Sequence, residues 1–146
     1  MSQWGPLADW GPRALGLVID IAPIFVLGVI LGIIDSAADT SVFGFLEFLA
    51  GIAWWLFMAW QVGETGQSPG MRVAGLRCVR KDTGQLITFG PGVVRALATI
   101  VNSLICYVGW LFPLWDDERQ TLADKMVGTY VLVVPKGQYS LMPPGR

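Results

Sequence analysis

The apolar run RALGLVIDIAPIFVLGVILGII at residues 13–34 constrains this chain more than any other feature. About 20 residues rising 1.5 Å each cover the ~30 Å hydrocarbon core of a bilayer, so residues 14–34 read as a membrane span. Small residues follow in SAAD (36–39), the pattern of a signal-peptide cleavage site. The run is nevertheless longer than the roughly 7–15 residues of a signal-peptide core, and more apolar runs come after it; the expectation is a retained span. It carries one carboxylate, Asp20, and an isolated charge in hydrocarbon is costly. Asp20 therefore needs a partner.

Composition agrees with a membrane class: 53% of the 146 residues are hydrophobic and only 14% are charged. The formal net charge of -1 argues against a nucleic-acid partner, which would demand a basic excess. With no histidine and two cysteines, Cys78 and Cys106, histidine-based zinc sites and His-activated nucleophiles are excluded. No cofactor, metal or enzymatic activity is expected, and both thiols read as small apolar side chains.

A second apolar run, VFGFLEFLAGIAWWLFMAW (42–60), contains Glu47 as its one charge and crowds Trp54, Trp55 and Trp60 toward its end, where amphipathic rings meet headgroups. Glu47 lies near the opposite end, within reach of interfacial water. Only DSAADTS (35–41) separates the two runs, so they predict an antiparallel helical hairpin. Pro23 is tolerated in a membrane helix, and Gly28-x3-Gly32 permits close helix approach. The 35–41 connection has no basic residue, whereas 61–92 has Arg72, Arg77, Arg80 and Lys81, and Arg13 precedes span one. That asymmetry puts the N-terminus and the long loop on the cytoplasmic side.

In the loop at 61–89, MRVAGLRCV and QLITF around KDTG predict a β-hairpin, with TYVLVV (129–134) as a further strand partner. The segment GPGVVRALATIVNSLICYVGWLFPLW (90–115) reads either as a third span or as two short helices broken around Gly109 or Pro113 that re-enter the same side. The tail at 116–146 keeps Arg119 and Lys125 cytoplasmic only in the re-entrant form, which is favoured.

PRALGLVID (12–20), GETGQSPGMRVAGLRCV (63–79), Arg95 and QTLADKMVGTYVLVV (120–134) together resemble the RDD family of small bacterial membrane proteins, named for one arginine and two aspartates. The resemblance marks Arg13, Asp20 and Asp124 as signature positions, with Gly63, Thr65, Pro69, Gly70, Arg72, Arg95 and Asn102 supporting them. It implies a single multi-pass domain over 1–146 in the bacterial plasma membrane, and cation/proton exchange has been suggested for some members. Met71 departs from the family's commonest lysine, and Asn102 from the acid of some relatives.

Arg13 and Asp20 lie two helical turns apart, about 10 Å, too far for a direct pair. Arg13 is expected to snorkel toward headgroups, and Asp20 to bond Arg95 or Asn102 across a helix interface. In TLAD (121–124), Asp124 can complete a capping box or pair with Arg13. GETGQSPG lacks the lysine and Ser/Thr of a phosphate loop and reads as a turn, with Glu64 beside nearby arginines. The fold class expected is all-α membrane with a small cytoplasmic β element. Two functions fit: a proton or cation transporter using Asp20, or a non-catalytic subunit of a larger membrane complex. The partners are the lipid bilayer and either further copies of the chain or that complex.

Overall fold

A computed structural model describes residues 2–104 and 108–136, apart from the Ser103 side chain. Cys106, and the tail beyond residue 136, lie outside the described residues.

Two long apolar helices, α1 (Trp10–Ala38, 29 residues) and α2 (Val42–Thr65, 24 residues), form the expected antiparallel hairpin. Asp35 closes its tight end by accepting from the Phe43 N–H (3.1 Å) and the Gly44 N–H (2.6 Å), two donors that open α2 without intrahelical partners. The glycine pair on α1 divides. A Cβ at Gly28 would run into the Glu47 carboxyl of α2, whereas Gly32 faces open space.

The sheet and two short helices, Pro69–Ala74 and Leu122–Val127, gather at the other end. Gly66 ends α2 with φ +76°, a left-handed turn open to glycine at no steric cost. Helix α3 (Pro69–Ala74) follows, with Ser68 as N-cap and Pro69 in the first turn, the arrangement in which both residues favour helix initiation. Strand β1 (Leu76–Arg80) pairs antiparallel with β2 (Thr129–Val133), Leu76 opposite Val133 and Arg80 opposite Thr129. TYVLVV thus supplies the strand partner, and the chain before α1 joins the far edge of β2 through Leu7 and Leu132. The predicted hairpin between MRVAGLRCV and QLITF does not form. Met71–Ala74 is helical, and the edge of β1 opposite β2 is satisfied singly, Cys78 N–H by Gly66 and Arg80 N–H by Gln85. QLITF then crosses the end of α2, burying Ile87 on the way.

Helix α4 (Phe89–Leu104) runs back along α2, crossing it where Gly92 meets Ala59 and Gly63. The chain then reverses. Gly109, in the short α5 (Val108–Leu111), sits against the Asn102 side chain and Leu122, so the segment doubles back instead of continuing as one long helix. A 3-10 turn at Phe112–Leu114 and helix α6 (Leu122–Val127) return it to β2. Ala8, Val62, Leu76, Cys78, Ile87 and Val131 form the core beneath the sheet.

The polarity of the whole is inverted relative to a water-soluble domain. Arg13, Gln61, Gln67, Asn102, Gln120 and Asp124 are buried, while Phe25, Ile33, Phe45 and Phe48 are 63–65% exposed along the long helices. Charged groups are almost never fully buried in a soluble protein, and contiguous apolar surface on this scale seeks lipid or another apolar face. This is an all-α membrane protein carrying a two-stranded sheet at one end of its helical hairpin.

Candidate functional site

Three charged side chains from three distant parts of the chain converge at the base of the hairpin. Asp124 is fully buried. Its Oδ2 accepts from Arg13 Nη1 at 2.6 Å and its Oδ1 from Arg95 Nη2 at 2.7 Å. Arg13 spreads its remaining donors over the carbonyls of Ala8 (3.3 Å) and Arg119 (2.7 Å). It is therefore turned inward, not toward the headgroups as expected, because Asp124 and two carbonyls together replace its hydration shell. Asp124 also completes a capping box: its Oδ2 takes the Thr121 N–H and its own N–H donates to the Thr121 hydroxyl, both at 3.2 Å. The cap and the ion pair, alternatives in the sequence, coexist because one carboxylate has about four lone-pair sites. Thr129 Oγ1 adds a further contact to Oδ1 at 3.2 Å. Burial by itself pushes this carboxyl up, but the Arg95 and Arg13 guanidiniums outweigh it and hold it well below the usual carboxylate range.

Asp20 answers to a different group. Its Oδ1 accepts the Gly70 N–H at 2.7 Å and its Oδ2 the Ser68 hydroxyl, so it caps the first turn of α3 from another helix. The indole N–H of Trp54 reaches the Asp20 backbone carbonyl at 2.9 Å. Neither Arg95 nor Asn102 is its partner: Arg95 is held by Asp124, and Asn102 packs at the α4 turn with neither polar atom hydrogen-bonded among the described residues.

The loop residues explain how α3 comes so close. A Cβ on Gly70 would overlap the Gly16 carbonyl of α1 and the Asp20 carboxyl, and one on Gly63 would come within 2.5 Å of the Thr88 carbonyl. Thr65 ties the end of α2 to the turn, bonding the Gln61 carbonyl (2.6 Å) and the Gln67 N–H (3.2 Å), and Arg72 donates to the Gln61 side chain. Glu64, expected beside arginines, instead accepts the Phe89 N–H that opens α4, at 3.0 Å. Sequence reasoning missed Ser68 as the Asp20 partner. The signal was present in Ser68-Pro69, which marks a helix start.

A family model described as the RDD family matches residues 7–128. This chain belongs to the RDD family. The RDD chain is 37% identical over 145 residues to a "Proline-rich antigen homolog" of Mycobacterium tuberculosis, an alignment covering 82% of this chain and 60% of the relative. It is 34% identical over 150 residues to a "Proline-rich antigen" of Mycobacterium leprae, covering 86% of this chain and 60% of that protein. It thus spans about 60% of the length of these relatives. No solved structure matches it. In the RDD chain the signature arginine and the second aspartate form one ion pair, and the first aspartate forms a helix cap about 10 Å away along α1.

Proposed function

We propose that this RDD protein is a non-catalytic, membrane-embedded assembly subunit of the bacterial plasma membrane. One observation carries the reading: the two signature carboxylates are engaged by donors of the same chain, Asp124 by two guanidiniums and Asp20 by the start of α3. Charges consumed in this way hold the polar base unit on the helical hairpin and leave the outer faces of α1 and α2 as apolar surface for lipid and for further copies or other subunits. The distribution of Lys and Arg supports a cytoplasmic N-terminus and base, with α4 and α5 as a re-entrant hairpin.

A second reading, proton or cation exchange at Asp20, is favoured by one feature. Both donors to that carboxylate are neutral, so no resident cation competes with an incoming one. Vesicles carrying the purified protein decide between the two. Under the assembly reading, wild type and Asp20→Asn dissipate an imposed pH or Na⁺ gradient no faster than empty vesicles, and crosslinking in native membranes captures defined higher-order species. Flux present in wild type and lost in Asp20→Asn would overturn it in favour of transport.

A further inference from the structure

Glu47 has no role in the network above. It stands near the beginning of α2, at the end of the hairpin away from the base, and its carboxyl fills the space that a Cβ on Gly28 would need. It also lines an open groove of about 610 Å³ between α1, α2 and α4, together with Ile24, Phe48, Ile52, Trp55 and Ile100. That volume falls in the ~300–1,000 Å³ range of small-molecule sites. Glu47 is the one charged side chain in the lining, and no described residue bonds or pairs with it.

Among the described residues this carboxylate has no counter-charge. Arg13, Arg72, Arg77, Arg80, Lys81, Arg119, Lys125 and Lys136 belong to the base, roughly 20 Å away along α2. Arg95, on the helix that closes the groove, is turned to α6 and held by Asp124. A second copy in the same membrane orientation would carry its described cations at the same end, so self-association through the described residues does not pair Glu47 either. A groove that presents apolar and aromatic walls with a single anionic group is complementary to a cation whose own surface is apolar.

We propose that the α1–α2–α4 groove binds lipophilic organic cations, with Glu47 as the counter-ion and Phe48 and Trp55 as the aromatic walls.

The test uses the full chain in nanodiscs and tetraphenylphosphonium as the probe, with binding read by calorimetry and by tryptophan quenching that Trp55→Phe reduces. Neutral triphenylphosphine oxide is the matched control. Wild type is expected to bind the cation saturably and the neutral probe at least tenfold more weakly, with Glu47→Gln losing at least tenfold in affinity for the cation and Glu47→Asp keeping part of it. Gly28→Ala, which displaces the Glu47 carboxyl, should weaken binding, whereas Gly32→Ala, which adds a methyl in open space, should leave it intact. Gel filtration of each variant in its nanodisc verifies that the fold survives. Absence of saturable binding by wild type, equal affinity of Glu47→Gln, or equal affinity for the neutral probe would overturn the proposal. So would a stable dimer that forms through this groove and excludes the probe.

Discussion

Arg13 and Asp124, 111 positions apart in the chain, meet at 2.6 Å with the carboxylate wholly buried. This one contact joins the first membrane helix to the last helix of the described chain, and Arg95 joins α4 to the same carboxylate. Removing one partner of a buried ion pair costs about 3–5 kcal/mol, because the remaining charge is left uncompensated. Asp124→Asn strands two guanidiniums and is expected to show a loss of that size in unfolding titrations in detergent. Arg95→Met, which leaves the Arg13 pair in place, should cost less. In a double-mutant cycle the two losses should fall well short of adding.

The acid response follows from the depressed Asp124 carboxyl. A carboxyl held below its unfolded value contributes stability above about pH 4 and loses it as pH falls through the folded value. Between pH 5 and 9 this contribution should be flat, and decline should begin below about pH 4. Melting curves of wild type and Asp124→Asn across pH check the sign: the variant lacks this acid-dependent part and should vary less over the acid range.

Much of this architecture was legible in the sequence because lipid imposes simple rules. Apolar runs of spanning length gave both long helices, and TYVLVV stood out as a strand by its run of valine, leucine and tyrosine. What the sequence concealed was the inward side of the base. Arg13 reads as a residue at the end of a span that reaches for headgroups, and only the fold brings Asp124 and the Ala8 and Arg119 carbonyls around it. The partner of Asp20 was hidden for a similar reason. Ser68-Pro69 marks a helix start, but a helix of six residues is too short to show which face meets α1, so only the fold pairs Ser68 and the Gly70 N–H with Asp20.

That crossing makes Gly70 a sensitive position. Its Cβ would meet the Gly16 carbonyl and the Asp20 carboxyl, whereas a Cβ on Gly16 would find Gly70 at 3.4 Å, an ordinary contact. Overpacking of this kind costs about 1–3 kcal/mol. Gly70→Ala should lower the unfolding midpoint accordingly, Gly16→Ala should do so less, and Gly51→Ala, facing open space, should be close to neutral. Equal effects at Gly70 and Gly51 would contradict the close α1–α3 packing.

The reversal after α4 is open to a direct test, since it decides on which side of the membrane the later residues lie. Gly109 of α5 packs against the Asn102 side chain of α4 and against Leu122 of α6, and Lys81 and Glu118 meet at 2.6 Å beside β1. A continuous third span would have carried Glu118 to the opposite side, about 30 Å away. In a background with Cys78 and Cys106 replaced by serine or alanine, single cysteines at Thr83 and Asp117 should react with a membrane-impermeant maleimide from one side. A cysteine at Ala38, beside the short connection, should react only from the other. The apolar flank of α4 gives a second readout: Leu97 and Leu104 are 51% and 77% exposed while Asn102 is buried. Cysteines at Leu97 and Leu104 should therefore be labelled from the lipid phase by an apolar reagent, and one at Asn102 should resist it. Labelling of the Thr83 and Asp117 positions from opposite sides would show that the segment crosses the membrane.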